Sequence, residues 1–249
     1  MNDVIKSLLS HRSVRSYQDK PVDEADLDQI IRAAQAAPNW INGQHVSIVA
    51  VKDRQRRKRM AELCGHQKHV EEAPVFLVFC ADFYRISLAC EMEQTPMKAL
   101  EDIDPLIVGA TDVGIALGTA VAAAESLGLG TVPIGGIRRN ALEVINELQL
   151  PAYVIPVCGL CVGYPDEDPG LKPRLPKEAV YFEEKYNRDL APFIREYNET
   201  YARYLSERSR GKRAGNWTQL VASYYSKPYY KGVPEMLKQQ KFPGGERNG

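Results

Sequence analysis

Residues 11 to 17 combine two guanidinium groups, an imidazole and several hydroxyls between an apolar segment and a polar turn, in the order His11-Arg12-Ser13-Val14-Arg15-Ser16-Tyr17. Arg12 and Arg15 are three residues apart, so on a helix end or a tight bend both side chains can converge on one anion. Guanidinium groups bind phosphate in a bidentate manner, and Ser13 with neighbouring backbone N–H groups can complete the cradle. The segment predicts a phosphate site, with a solvated basic turn as the alternative.

Composition limits what kind of anion this chain can recognise. Its 249 residues are 44% hydrophobic and 26% charged, which is typical of a globular chain long enough for one large domain or two small ones. The 32 basic residues balance the 32 acidic ones, so we expect local anion recognition rather than general polyanion binding.

The first residues lack the pattern of a signal peptide, and the five scattered cysteines suit reduced thiols. We therefore expect a cytoplasmic protein.

Apolar periodicity and turn residues predict the helices and strands that surround this segment in the chain. The first predictions are a helix over 23–37 that Pro38 ends, an amide-rich loop over 39–44, a strand over 46–51, a basic helix from Asp53 and a buried strand over 75–80. A Gly-rich turn with a short strand follows over 128–136. A further helix begins at Asn140, which has capping-box spacing to Glu143, and a second apolar strand covers 154–162. The simplest partition is a single domain, 1–249, with a C-terminal excursion from about 177 to 249.

A long helix from Asp104 to about Leu127 carries small residues every four positions, namely Ala110, Gly114, Gly118 and Ala122. Glycine costs roughly 1 kcal/mol relative to alanine inside a helix, so this stripe indicates close approach of another backbone. A dimer core is one interpretation and packing on a core sheet is another. A membrane span is the weaker alternative, because Asp112 and Glu125 interrupt the apolar stretch.

Three further motifs have simpler interpretations than a redox, metal or dinucleotide site. Cys158 and Cys161 have redox spacing but lie within an apolar run, which favours buried packing cysteines. Cys64, His66 and His69 lack a second ligand cluster, so we expect no metal site. The Gly128-Leu129-Gly130 fragment lacks the third glycine of a dinucleotide fingerprint, so a Rossmann crossover is not supported.

Three basic clusters remain. The run over 54–59 favours a solvated helix face over a nucleic-acid surface, because no aromatic residues interleave with it. Arg208, Arg210, Lys212 and Arg213 surround Ser209 and Gly211, which suits either closure on a mobile phosphate or an exposed loop without a ligand. Residues 171–176 hold two cations in a backbone that two prolines stiffen.

Four motifs occur in one order along the chain: His11 to Arg15, Gly65-His66-Gln67-Lys68-His69-Val70, Pro133-Ile134-Gly135-Gly136-Ile137-Arg138 and Leu171-Lys172-Pro173-Arg174-Leu175-Pro176. Together they resemble the FMN-dependent nitroreductase superfamily, and more narrowly its NADPH-preferring oxygen-insensitive nitroreductase and flavin reductase group. The resemblance covers nearly the whole chain.

The resemblance implies an α+β fold, with a mainly antiparallel sheet flanked by helices, in an intertwined homodimer that has two FMN sites at its subunit interface. It implies tightly bound, non-covalent FMN. His11, Arg12, Ser13 and Arg15 would hold the phosphate and ribityl end, and Lys172 and Arg174 would add positive charge. Gln67 and the loop residues Asn39, Asn42 and Gln44 would hydrogen-bond the ring or the ribityl chain. Pro133, Ile134, Gly135 and Gly136 would pass close to the ring through backbone atoms.

The same resemblance implies that Arg208 and Arg213 bind the 2′-phosphate of NADPH, with Arg210 able to substitute for either. We expect ping-pong turnover in which NADPH gives a hydride to FMN and a flavin, quinone, nitroaromatic or azo compound then takes the electrons. No side chain need act as a catalytic group, because the flavin N5 carries the chemistry. The alternatives are a different flavin reaction on the same fold, such as dehalogenation or flavin destruction, a non-catalytic flavin carrier or sensor, and a nucleic-acid-binding role for residues 54–59.

Overall fold

The structure, a computed structural model, describes residues 1–243 and divides them into two compact units. The first unit contains residues 1–169 together with the segment from Tyr230 onward, and the second contains Gly170–Tyr229. Residues 244–249 of the predicted C-terminal excursion lie outside the described residues.

Ten α-helices and four strands form in the described residues. In chain order they are α1 Asp3–Leu9, α2 Glu24–Gln35, β1 Val46–Val51, α3 Arg54–Leu63, α4 Lys68–Glu72, β2 Val75–Asp82, α5 Tyr84–Met92, α6 Asp104–Ser126, β3 Gly130–Ile134, α7 Ala141–Leu148, β4 Val154–Gly163, α8 Ala191–Arg208, α9 Trp217–Tyr225 and α10 Val233–Gln239. The strands make one antiparallel sheet in the order β1-β2-β4-β3. The predicted α+β class is confirmed.

The strand β2, one of the two central strands, is buried along its whole length, which is consistent with its apolar sequence from Val75 to Ala81. Its side chains alternate between the two faces of the sheet. Leu77 and Phe79 join a core that includes residues of α2 and α6, whereas Phe76 and Val78 join a core that includes residues of α3 and α7. Helices therefore cover both faces, and the strand edges are left to receive the predicted site segments.

The long helix α6 has two different faces. Its buried face packs against the sheet, where a Cβ added at Gly109 would lie 2.9 Å from the Ala81 Cβ. The predicted small-residue stripe lies on another face: a Cβ added at Gly114 or Gly118 would meet no atom within 4 Å apart from the helix's own backbone. The core-sheet interpretation of this stripe is therefore wrong.

By length and composition alone, α6 is also a candidate membrane span, and 28% of its most apolar stretch is buried inside the chain. Such a helix is weak support for a membrane protein, because core helices of other proteins meet the same criteria. The unburied part of α6 presents apolar side chains, among them Ile107 and Ile115, at the surface of the chain.

Local sequence patterns predicted the helices and strands more accurately than the residues that cap the helices. The strand over 46–51 has the predicted bounds, and Asp53 caps α3 by accepting a hydrogen bond from the Arg56 N–H. The predicted capping box at Asn140 is wrong, because the Asn140 Nδ2 instead donates to the Leu63 carbonyl at 2.8 Å. This tertiary contact ties the start of α7 to the end of α3.

The second unit is built around buried tyrosines of α8. Tyr197 packs edge-on against Trp217, with the ring centroids 5.8 Å apart, and Tyr201 lies beside it. The Asn198 side chain accepts a hydrogen bond from the Thr218 N–H, which joins α8 to α9. A true capping box begins α9, between Asn216 and Gln219.

The cysteines of the described chain are free thiols. Burial within β4 is confirmed for Cys161, whereas Cys158 is only partly buried. Desolvation raises the pKa of Cys64 and of Cys80 to about 12 and raises that of Cys161 well above its usual range. These groups remain protonated at neutral pH, so the Cys158/Cys161 pair lacks the stabilised thiolate that a redox dithiol requires.

We expect iodoacetamide at pH 8 to modify Cys90 in the native protein well before Cys64, Cys80 and Cys161. Cys90 is partly exposed, and the other three are buried thiols whose raised pKa values keep them protonated at this pH. Mass spectrometry of peptides from timed samples measures the order, and a denatured sample provides the control in which all are modified. Early modification of Cys161 would contradict this assignment.

Candidate functional site

The 11–15 segment lies along β3, at an edge of the sheet. Ser13 forms a parallel bridge with Thr131, and the Val14 N–H donates to the Thr131 carbonyl at 2.9 Å. Gly130 permits this pairing, because a Cβ there would lie 2.8 Å from a Val14 methyl carbon. The predicted phosphate-binding residues are therefore fixed in register with the sheet.

Positive charge is concentrated on this segment. The Arg15 N–H donates to the Glu167 Oε1 at 2.7 Å, and its guanidinium donates to the Ser13 carbonyl at 3.3 Å. That carbonyl is the only hydrogen-bond acceptor that the Arg15 guanidinium finds among residues 1–243. Arg12 pairs with Asp168 at 3.2 Å. Most of the Arg15 donors thus remain available for an anion.

His11 is oriented by a carboxylate at the end of α6. Its Nδ1 lies 2.6 Å from the Glu125 Oε1, which also accepts a hydrogen bond from the Thr131 hydroxyl at 3.2 Å. A carboxylate beside Nδ1 favours the tautomer that carries its proton on Nδ1. The Nε2 atom is then left for a further partner. Sequence reasoning missed this role of Glu125. The available signal was its charge within an otherwise apolar helix.

The predicted Gln67 and the 133–136 turn meet each other. The Gln67 Nε2 donates to the Cys64 carbonyl at 2.7 Å. A Cβ added at Gly136 would lie 2.3 Å from that Nε2 and 2.5 Å from the Cys64 oxygen, so only glycine fits. Ile134 and Gly136 are buried, whereas Pro133 is exposed. Because this turn directly follows β3, it continues from the strand that holds Ser13.

His69, two residues after Gln67, has a buried ring nitrogen whose surroundings include the charge of Arg15. Its Nε2 is buried and has no hydrogen-bond partner among the described residues. Burial lowers the pKa of His69, and the nearby Arg15 charge lowers it further. Sequence reasoning considered His69 only as a metal ligand. No group of three His, Cys, Asp or Glu side chains suitable for a metal occurs within residues 1–243.

The 39–44 loop lies at the other edge of the sheet, immediately before β1. At one edge, Val46 of β1 pairs with Ala81 of β2, which in turn pairs with Ile155 of β4. At the other edge, Thr131 of β3 pairs with Val162 of β4. The displacement along β4 is roughly 20 Å, and β1 and β3 are about 14 Å apart across the sheet. One chain therefore does not bring Asn39, Asn42 and Gln44 to the 11–15 segment.

The remaining predicted residues belong to the second unit. Arg174 donates to the Lys172 carbonyl at 2.9 Å, and the Tyr197 hydroxyl donates to the Pro173 carbonyl at 2.8 Å. These contacts fix the proline-stiffened crossing against α8. Arg208 ends α8 and donates to the Tyr204 hydroxyl at 2.6 Å.

The basic loop after α8 is a tight turn. The Arg213 N–H donates to the Ser209 hydroxyl at 2.9 Å, so Arg208 and Arg213 flank a single turn. Arg210 has a φ of 52° within it, beside Gly211 at 75°. The turn thus presents several cations within a short length of chain.

The basic run of α3 is partly neutralised. Arg56 pairs with Glu147 at 3.2 Å, and Arg59 pairs with Glu62 at the same distance. Arg57 donates to the Glu71 carbonyl at 3.2 Å. The two carboxylates reduce the net positive charge that this helix face presents.

Comparison with known proteins shows the family of this chain. Residues 8–164 match the Nitroreductase family, and residues 172–244 match the Nitroreductase family, C-terminal domain. The FMN reductase (NAD(P)H) of Bacillus subtilis (strain 168) is 51% identical over 245 residues, which are 97% of this chain and 98% of the relative. The oxygen-insensitive NADPH nitroreductase of Salmonella typhimurium is 38% identical over 96% of this chain and 98% of the relative.

A solved structure, that of NfrA2 from B. megaterium, superposes with a TM-score of 0.96 at 48% identity and covers 97% of this chain and 98% of its own. Both family matches, the close relatives and the shared fold agree with the order of the four motifs. The chain belongs to the nitroreductase family.

Proposed function

We propose that this protein is an NADPH-dependent FMN reductase and nitroreductase that holds FMN tightly and without a covalent bond. It acts as a cytoplasmic homodimer and turns over by a ping-pong mechanism, with free flavin, quinones, nitroaromatic or azo compounds as acceptors. The observation that carries the proposal is that the 11–15 segment, with its two arginines, pairs with β3, the strand that leads directly into the Gly136 turn against which Gln67 packs.

The residues at this edge fit the chemistry of FMN. Arg15 has guanidinium donors without protein acceptors, and Ser13 adds a hydroxyl, which suits a phosphate. The buried Nε2 of His69 has no hydrogen-bond partner among the described residues and can pair with a further polar group. At Gly136 a side chain would collide with Gln67 and the Cys64 carbonyl, so glycine lets the turn pack against the Gln67 segment.

In this proposal the chain's own residues bind and orient, and the chemistry belongs to the cofactor. Bound FMN would supply hydride acceptance from NADPH and electron transfer to the second substrate. Arg12 and Arg15 would neutralise the phosphate, and the family resemblance adds Lys172 and Arg174 to this set. Glu125 would hold His11 in the tautomer with its proton on Nδ1, which leaves Nε2 for a further partner. No side chain is required as a nucleophile or as a proton donor.

A homodimer would complete the site. The open Gly114/Gly118 stripe of α6 would pack against a second copy, since small residues allow two backbones to approach closely. Large exposed apolar residues continue this surface on α1, on the 39–44 loop and at the start of α6: Val4, Ile5, Leu8, Leu9, Trp40, Ile41, Ile103 and Ile107. The second copy would supply its own Asn39, Asn42 and Gln44, which one chain does not bring to its 11–15 segment.

The 2′-phosphate of NADPH would bind at the basic turn after α8. It adds roughly two negative charges that NADH lacks, and charge-assisted hydrogen bonds to arginine favour it. Arg208 and Arg213 flank the turn, and Arg210 can replace either.

Stopped-flow mixing with NADPH tests the proposed activity. We expect rapid bleaching of the oxidised flavin band, followed by rapid recovery when a quinone is added. These two separable half-reactions are what ping-pong turnover requires. Sluggish bleaching of a protein that retains FMN would indicate a flavin carrier or sensor and would contradict the proposed enzyme.

Arg15→Ala should be purified largely without FMN, because it removes the guanidinium proposed to bind the phosphate. Flavin absorbance per mole of protein measures the loss. Arg59→Ala, an exposed arginine of α3 that pairs with Glu62, is the matched control and should retain full occupancy. An Arg15→Ala protein as yellow as the wild type would place the phosphate elsewhere.

The double variant Arg208→Ala/Arg213→Ala should raise the KM for NADPH by about 10- to 100-fold, equivalent to roughly 1.4 to 3 kcal/mol, and change the KM for NADH little. Steady-state kinetics with both donors measures the ratio. Arg195→Ala, an exposed arginine on α8, serves as the control for loss of one charge in the same unit. Equal losses for both donors would show that this turn does not recognise the 2′-phosphate.

A further inference from the structure

The 39–44 loop has an unfavourable backbone. Ile41, Asn42 and Gln44 have φ values of 48°, 56° and 54°, which lie in the left-handed region. For a β-branched residue such as Ile41 this conformation is a genuine outlier. Its neighbour Trp40 is 56% exposed and Ile41 itself is 73% exposed, so apolar burial within the chain does not compensate.

Packing beneath the loop is also incomplete. A cleft of about 350 Å³ lies there and is lined by, among others, Pro38, Asn39, Gln44, Arg85 and Asp112. Side-chain packing on this side of the loop is therefore limited, and the loop conformation is held by polar contacts.

The first set of contacts comes from Asp112 of α6. Its Oδ1 accepts a hydrogen bond from the Trp40 N–H at 3.2 Å, and its Oδ2 lies 2.8 Å from the His45 Nδ1. Asp112 and His45 are each 3% exposed, and the His45 ring packs on Phe83 with centroids 4.7 Å apart. One buried carboxylate thus attaches both ends of the loop to α6.

Arg85 forms the second set of contacts. Its Nη2 donates to the Gln44 and Val46 carbonyls, each at 2.7 Å, and its Nη1 donates to the Ser47 hydroxyl at 3.1 Å. Within the loop, the Asn39 side chain accepts a hydrogen bond from the Gln44 N–H at 2.9 Å. The loop is consequently held in one shape even though it is exposed.

A buried carboxylate is an expensive way to stabilise a fold, because its desolvation offsets much of what its contacts contribute. Strained backbone that polar contacts maintain on an exposed surface is typical of a segment that must present its groups to a ligand. We propose that Asp112 is a positioning residue: through Trp40 and His45 it fixes the 39–44 loop so that the loop of one copy completes the FMN site of the other. This proposal rests on the proposed function.

The first test compares FMN affinity in three proteins by fluorescence titration after removal of the cofactor. Asp112→Ala should weaken FMN binding about tenfold or more, since a loop that must be ordered on binding loses affinity. Asp112→Asn, which retains an acceptor for the Trp40 N–H, should fall between this variant and the wild type. Val113→Ala removes buried volume from the next residue of α6 without touching the loop. It should lower the melting temperature and leave FMN affinity within about twofold of the wild type.

A mixed dimer supplies a readout that a purely structural role would not change. In a dimer that combines an Arg15→Ala copy with an Asp112→Asn copy, one site receives both defects and the other receives neither. We expect one FMN of wild-type affinity per mixed dimer, whereas each parental homodimer has no site of wild-type affinity. Two weakened sites would mean that the loop acts within its own chain, and would overturn the proposal.

The outcomes separate this inference from the proposed function. A wild-type protein that fails to bind FMN refutes the proposed function itself. A wild-type protein that binds FMN, together with Asp112 variants that match Val113→Ala in affinity, refutes only the positioning role. Should Asp112→Ala fail to fold, Asp112→Asn and the mixed dimer still decide the question.

Discussion

The packing of α6 on the sheet orders both ends of the candidate site. One face of the helix is buried against β2 and α2, with Gly109 allowing close contact, and another face is left open by Gly114 and Gly118. Two of its carboxylates each hold a different segment: Asp112 holds the 39–44 loop, and Glu125 holds His11. They are roughly 20 Å apart along the helix axis. One element thereby fixes both halves of the candidate site.

The distance between those halves is the reason that the proposed FMN site requires two copies of the chain. The sheet order β1-β2-β4-β3 places the strand that follows the 39–44 loop at one edge and the partner of Ser13 at the other. No local rearrangement can join them, because the two central strands β2 and β4 lie between. A site that uses both segments requires two copies, and the open face of α6 offers the surface for them to meet.

Sequence patterns predicted elements where local chemistry decides the outcome. The strand over 46–51 and the helix from Asp53 follow from local residue patterns, and both are observed. The Asn140 capping box is absent: the Asn140 Nδ2 donates to the distant Leu63 carbonyl, and its side chain makes no capping hydrogen bond to α7. Glu125 and Asp112 were noticed only as charges in an apolar helix, since their partners lie 114 and 67 residues away.

The family, the α+β class and the motif residues can be predicted from sequence, because each motif is a short run whose residue types carry its chemistry. The division of the first unit's motif residues between the two sheet edges, and the face of α6 that stays open, are seen only in the tertiary structure. It also revealed the carboxylates that orient His11 and the 39–44 loop. Those features depend on strand order and on contacts between residues far apart in the chain, and a pattern of neighbouring residues does not encode them.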